Sequence, residues 1–227
     1  QDRPLLYALE PRRRPALVPA QRRIGVPERM LVNGRVERPL TPAALRAVVR
    51  AVERARPEAV AICFLHSYAS PRHEALGARA LRGLGIHVTA SHALLREYRE
   101  YERVATTTVN AYVGPPMARH LDALVRAVRG RVQVMQSNGG LVGAGTAGRE
   151  AVRTVLSGPA GGIVGASAVA HRAGFARIIT FDMGGTSTDT SVIDGAPTLR
   201  TETTIDELPI RVPTLDIHTV GAGGGSI

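Results

Sequence analysis

Between Leu45 and Val52 the apolar side chains fall at helical spacing, and from Ala59 to Leu65 they run almost without a break. The first pattern predicts an amphipathic helix whose buried stripe is Leu45, Val48, Val49 and Val52. Thr41 suits the N-cap and Pro42 the first turn, and Pro57 stops the helix. The second pattern, AVAICFL, predicts a short buried strand. Ser70-Pro71 opens a second helix to about Arg82, Gly83 and Gly85 end it, and Ile86 to Thr89 is another strand. Alternating helix and strand predicts an α/β layer with a parallel sheet. Residues 1–40, rich in Pro and Arg, read as extended segments and short strands.

Farther along, Glu97, Glu100 and Glu102 interleave with Arg96, Arg99 and Arg103, a pattern that predicts a solvated ion-pair surface. A long helical region follows, with an interruption expected at Gly114-Pro115 and a stripe of Met117, Leu121, Leu124, Val125 and Val128 in its second half. Val132 to Gln136 is a strand that empties into Ser137-Asn138-Gly139-Gly140. Val152 to Leu156 reads as a strand running into Ser157-Gly158-Pro159 and then a helix to about Arg172. Its small residues, Gly161, Gly162, Gly165, Ala166 and Ala168, suit tight packing on a sheet or close approach of a ligand. Its N-terminus suits an anion. From Ile178 onward strands are expected at 178–182, 188–193, 198–204, 210–213 and 215–220, with a turn at Gly195-Ala196-Pro197.

The most specific string is FDMGGTSTDTSV, Phe181 to Val192. It predicts a strand, a tight glycine turn and a returning strand. Glycine admits positive φ and lets a ligand approach the main chain, so successive N–H groups can converge on one anion. Asp182 sits where it could hold a hydrated Mg²⁺, an ion that keeps several waters and takes few carboxylates. A Gly-Gly pair alone would fit an ordinary hairpin. The aspartates on either side of Thr186-Ser187-Thr188 make the phosphate reading the sharper one.

Composition changes this picture in three places. All 29 basic residues are Arg, so lysine chemistry is excluded, including a Walker-type loop. The net charge of +10 is uneven: residues 168–227 carry 4 Arg against 7 acids, so phosphate binding there rests on backbone amides and a metal. With no Trp and only 3 Phe and 5 Tyr, stacking platforms are few, which argues against nucleic acid as a partner. Arg12-Arg13-Arg14 and Arg22-Arg23 read as solvated or packed on further protein. The lone Cys63 excludes an internal disulfide and is expected to be inert in its strand. No membrane-length apolar run occurs and no signal-peptide core is seen, so a cytoplasmic location is expected. The glycine-rich end, VGAGGGSI, is read as a sign that the chain is a piece of a longer protein.

Several strings together resemble the hydantoinase A/oxoprolinase family, which includes 5-oxoprolinase, N-methylhydantoinase and acetone-carboxylase-like subunits. They are AICFLHSYASPRHE (Ala61–Glu74), LREYREYERVATTTVNAYVGP (Leu95–Pro115), VMQSNGGL (Val134–Leu141), RTVLSGPAGGIVGA (Arg153–Ala166), TFDMGGTSTDTSV (Thr180–Val192) and LDIHTVGAGGGSI (Leu215–Ile227). The resemblance implies an α/β fold of the actin/hexokinase/Hsp70 (ribonuclease H-like) ATPase class, incomplete, as two partial domains. Residues 1–150 would be the remainder of a first domain whose own phosphate hairpin nothing here matches. Residues 151–227 would be the start of a second domain, with its hairpin at Asp182 to Asp189. Departures are mild: Gly162 stands where the family often has another small residue, and Thr190 where it usually has an aliphatic one.

The resemblance implies ATP and Mg²⁺, or another divalent metal, as cofactors. The substrate would be a cyclic amide, a hydantoin or lactam, activated by phosphorylation for ring opening. A hydantoinase B-type subunit or domain would be the partner, with no nucleic acid and no membrane. Asp182 would hold the metal, directly or through water. Gly184, Gly185 and Thr186 would donate N–H groups to phosphate, within a cofactor-binding stretch that includes Ser187 and Thr188. Asp189 would brace the hairpin or polarise a nucleophile. Ser137, Asn138, Gly139 and Gly140, with Ser157 and Gly158, would line the cleft. Asp216 and His218, two apart on an expected strand, form either a metal-ligand pair or a structural hydrogen-bonded pair. The alternatives are a small-molecule kinase of the same fold class and a non-catalytic remnant. The isolated chain is expected to bind Mg-ATP poorly.

Overall fold

A computed structural model describes residues 16–205 and 208–226. They form two compact units, one holding the described residues up to Pro116 together with those of Thr204–Arg211, the other Met117–Thr203 and the described residues from Val212. Arg12-Arg13-Arg14 lies outside the described residues. Compactness divides the chain at Pro116/Met117, a different place from 150/151.

The first unit opens with a short antiparallel pair, β1 (Arg29–Met30) and β2 (Val36–Arg38). Helix α1 (Pro42–Ala55) begins as its sequence predicts: the Thr41 hydroxyl accepts the Ala44 N–H at 3.2 Å and Pro42 fills the first turn. It ends where Arg56 turns left-handed (φ 43°) just ahead of Pro57. β3 (Ala59–Ile62), α2 (Arg72–Arg82) and β4 (His87–Ala90) follow, and β3 pairs in parallel with β4, Ala59 opposite His87 and Ile62 opposite Ala90. The core between them is Val52, Ile62, Ala78, Leu81 and Ala90. A βαβ crossover buries one face of each element, which is why the helix stripe and the apolar strand were visible as patterns.

After the single turn α3 (Ser91–Leu94) comes α4 (Glu100–Ala127), which runs unbroken through Pro115 and Pro116. The expected interruption at Gly114-Pro115 is therefore corrected. Gly114 serves another purpose: a Cβ there would lie 2.3 Å from His87 Nε2, so glycine lets the helix pass that ring without pushing it aside. Of the stripe beyond, Leu121 is buried and Met117 packs beside it, whereas Leu124, Val125 and Val128 are exposed.

Of the expected solvated ion-pair surface, Arg96, Arg99 and Glu100 are exposed and Arg99 pairs with Glu102 at 3.5 Å, but the expectation is corrected at Glu102 and Arg103. Glu102 and Arg103 are 2% and 1% exposed. Arg103 donates to Ser67 Oγ and Ser91 Oγ, both at 2.6 Å, and to the Phe64 carbonyl at 3.0 Å. Its charge faces Glu74, 3.6 Å away and equally buried. Glu74 accepts from Phe64 N–H, Ser91 Oγ, His92 N–H and His92 Nδ1 at 2.7–2.8 Å. Neighbouring charges in the sequence gave no sign of this, because the partners come from α2 and α3. Cys63, just past β3, lies beside this cluster. Burial first, then the Glu74 carboxylate, push its thiol from 9.0 up to about 12. The folded state thus holds that proton more tightly, a contribution present below pH 9 and lost as pH climbs towards about 12. In the folded protein at pH 8, iodoacetamide should label Cys63 far more slowly than free cysteine and at the free rate only after denaturation. Equal rates would contradict the buried thiol.

The second unit contains the hairpin β5 (Gln133–Met135) and β6 (Leu141–Gly143), α5 (Ala144–Arg149), and α6 (Ser157–Arg172). Where Val152 to Leu156 was expected as a strand, a 3-10 turn (Ala151–Thr154) leads into α6. Five residues with apolar side chains only at Val152, Val155 and Leu156 cannot distinguish a strand from a buried turn, and Val152 is wholly buried. Strands β7 (Arg177–Met183) and β8 (Thr188–Asp194) make the predicted hairpin, and β9 (Ala196–Pro197) turns back onto β8 after Gly195 at φ 74°. Then come β10 (Leu199–Arg200), the paired β11 (Thr203–Ile205) and β12 (Leu208–Ile210), which from Thr204 on belong to the first unit, and, back in the second, β13 (Thr214–Leu215) and β14 (His218–Val220). The last sheet runs β14-β8-β7. The run expected at 215–220 is two strands, with Asp216 and Ile217 between them. One hairpin face sends Ile178 and Ile193 onto Ala160 and Ile163 of α6; the other leaves Ile179, Phe181, Met183 and Val192 exposed.

Candidate functional site

Strand pleating and register build the site. Asp182 and Asp189 are directly opposite each other on β7 and β8, and Thr219 of β14 is opposite Asp189. All three therefore share the face that looks onto α6. Thr219 Oγ1 donates to Asp189 Oδ1 at 2.6 Å, a charge-assisted bond that fixes that carboxylate. Asp182 has no hydrogen-bond or ion-pair partner among the described residues. The two carboxylates line a cleft of about 490 Å³ with Pro159 and Gly162 of α6. A Cβ at Gly162 would sit 3.6 Å from Asp182 Oδ2, an ordinary contact distance, so α6 passes directly beside the acid.

The turn differs from expectation in an instructive way. Neither Gly184 nor Gly185 lies in the left-handed region. Gly184 N–H closes the turn onto Ser187 O at 2.9 Å and so is committed, contrary to its expected donation to phosphate. The N–H groups of Gly185, Thr186 and Ser187 carry no hydrogen bond among the described residues. The absence of side chains at Gly223 and Gly225, on the other hand, permits the glycine-rich segment to stack on the turn. Gly224 N–H donates to Gly184 O at 2.9 Å, and Gly225 N–H to Gly185 O at 2.8 Å. A Cβ at Gly223 would come within 2.6 Å of Gly184 O, closer than any side chain tolerates. Thr188, buried, ties β8 to the same segment through Oγ1 to Ala222 O at 2.6 Å. Sequence reading missed this brace; GAGGG beside GGT was the available signal.

The other expected site residues are placed elsewhere. Ser137 is fully buried and works as a junction: its N–H and Oγ both donate to Arg153 O, its Oγ accepts Leu156 N–H, and its carbonyl accepts Leu215 N–H. Asn138 Oδ1 accepts Gly140 N–H at 2.9 Å, and Gly139, at φ 83°, presses against Val164 of α6. Ser157 and Gly158 form the first turn of α6. None of these six lines the Asp182 cleft. Asp216 pairs with Arg200 at 2.5 Å, and His218 lies exposed on β14, on the face opposite Thr219.

Comparison with known proteins fits these features. Residues 103–227 match the hydantoinase/oxoprolinase family and residues 1–85 its N-terminal region. The caprolactamase alpha subunit of Pseudomonas jessenii is 35% identical over 93% of this chain and 32% of its own length. The 5-oxoprolinase of Saccharomyces cerevisiae is 36% identical over 81% of this chain and 15% of its own. A nucleotide-free structure of acetone carboxylase, from work on ATP-dependent acetone carboxylation, superposes with a TM-score of 0.80 at 30% identity, covering 93% of this chain and 31% of that one. The chain thus spans about a third or less of the length of these relatives. Its α/β architecture is the actin/hexokinase-like ATPase fold. With sequence, fold and hairpin in agreement, the chain belongs to the hydantoinase/oxoprolinase family.

Proposed function

We propose that the β7–β8 hairpin grips the phosphates of ATP in an enzyme that opens a cyclic amide, a hydantoin or lactam. The observation that carries this reading is the turn itself. Three unengaged amides lie in the turn that follows Asp182, a carboxylate that no described protein group satisfies. Backbone N–H groups aimed at one point favour an anion, and an unpaired carboxylate beside them favours a cation that the anion brings along. Among the described residues no three His, Cys, Asp or Glu side chains gather around one point. One carboxylate with phosphate oxygens and waters is the set that Mg²⁺ accepts, so the residues fit that ion. Asp182 would hold it, and Asp189, fixed by Thr219, would orient the hairpin or a nucleophile. Asp216, engaged by Arg200, and His218 remain a second place to test for metal.

When bound, ATP and its metal supply an activated phosphoryl group. Held by the turn amides and Asp182, ATP would supply the phosphoryl group that activates the amide oxygen, so that water could open the C–N bond with ADP and phosphate as products. The chain's own part is positioning and charge neutralisation, which dominate phosphoryl-transfer catalysis. In this reading residues up to 150 complete a first domain, 151–227 open a second, and a hydantoinase B-type subunit carries the ring chemistry. The alpha-subunit name of the caprolactamase supports a multi-subunit enzyme. ADP release by the complete enzyme with its partner should rise on adding a hydantoin or lactam. ATP turnover that ignores such rings and yields a sugar phosphate would establish the kinase reading instead.

A further inference from the structure

Resting on the phosphate reading of the turn, we infer that the Gly223–Gly225 segment is a positioning brace that aims two amides of the hairpin at the triphosphate tail. The argument is peptide geometry. In a planar trans peptide the C=O and the N–H of the following residue point in opposite directions. The Gly184 carbonyl is held by Gly224 N–H, so the Gly185 N–H is turned directly away from the glycine-rich segment. The Gly185 carbonyl is held by Gly225 N–H, so the Thr186 N–H is turned away on the same side. Two consecutive donors are thereby made parallel before any ligand arrives. Each bond received at a carbonyl also polarises the N–H of the same peptide, strengthening it as a donor.

The brace is itself locked. Gly223 N–H donates to Ser226 Oγ and Ser226 N–H to Gly223 O, both at 2.9 Å, while Thr188 anchors Ala222. Its tolerance of a side chain is graded. A Cβ at Gly223 would meet Gly184 O at 2.6 Å, one at Gly225 would meet Gly185 O at 2.9 Å, one at Gly224 would meet Gly184 O at 3.9 Å, and one at Gly221 would meet nothing within 4 Å. A segment serving only as a linker would have no reason to press so closely on the turn.

The test compares Gly221→Ala, Gly224→Ala, Gly225→Ala and Gly223→Ala in the complete enzyme, with inorganic triphosphate plus Mg²⁺ as the calorimetric probe. Gly223→Ala should weaken binding by about 10- to 100-fold, the loss expected when hydrogen bonds to a charged group are misaimed. Gly225→Ala and then Gly224→Ala should fall between, and Gly221→Ala, outside the brace, should match the unmodified protein. KM for ATP should rise from Gly221→Ala through Gly224→Ala and Gly225→Ala to Gly223→Ala while KM for the cyclic amide stays unchanged, a split that general loosening would not produce. Thr188→Val, which frees Ala222 without adding a clash, should weaken triphosphate binding too if Gly223→Ala fails to fold. If the unmodified enzyme binds triphosphate and all four glycine variants bind it equally, the brace is refuted while the phosphate reading stands. If the unmodified enzyme binds none, the phosphate reading falls and the brace with it.

Discussion

Replacing Glu74 with Ala should cost about 3–5 kcal/mol of stability, the penalty for stranding a buried charge, and lower the melting temperature by roughly 10 °C. Four donors converge on this carboxylate, and all would lose their acceptor together. Arg103, 1% exposed, would keep its bonds to Ser67, Ser91 and Phe64 but lose its counter-charge. Total stabilities of about 5–15 kcal/mol leave little margin for such a loss. The contrast with Arg200–Asp216 is informative. That pair is shorter than Arg103–Glu74, yet Arg200 is 59% exposed, and solvent screening holds its worth to about 0–1 kcal/mol. Thermal unfolding of Glu74→Ala beside Arg200→Ala checks both. Equal melting temperatures would contradict the ranking of buried over exposed charge.

Asp182→Asn should show the opposite profile: near-normal stability and activity reduced by about a hundredfold or more in the complete enzyme. The carboxylate has no described protein partner, so nothing in the fold depends on its charge. A cation beside the phosphate tail does depend on it. The asparagine keeps the size and one oxygen but loses the charge that holds a hard divalent ion. Steady-state turnover alongside a melting curve separates the two effects. A near-normal rate would remove Asp182 from the metal's surroundings, and a large stability loss would mean that it serves the fold.

What the sequence disclosed was local. Thr41, Pro42 and Pro57 bound α1 because capping and proline chemistry act within a turn. The parallel β3–β4 pair followed from a continuous apolar run beside a helix stripe. The β7–β8 hairpin followed from glycines between two apolar runs, and its register put Asp182 opposite Asp189. What stayed hidden depended on distant partners. Glu102 and Arg103 look like surface charges until α2 and α3 close over Arg103. Gly114 looks like a helix break until His87 occupies the space a side chain would need. The glycines at 184 and 185 suggested an unusual backbone; their carbonyls instead receive a second glycine segment, forty residues on, whose own lack of side chains at Gly223 and Gly225 allows the contact. Among candidate site residues the aspartates and the turn amides came together. Ser137 was visible as a polar residue after a strand, but its role as a buried junction was not.

The most direct test of the account is a crystal of the complete enzyme soaked with Mg²⁺ and a non-hydrolysable ATP analogue. Phosphate oxygens should lie about 2.7–3.2 Å from the amide nitrogens of Gly185 and Thr186, with the metal beside Asp182. A well-ordered analogue bound elsewhere, with that turn contacting only water, would contradict it.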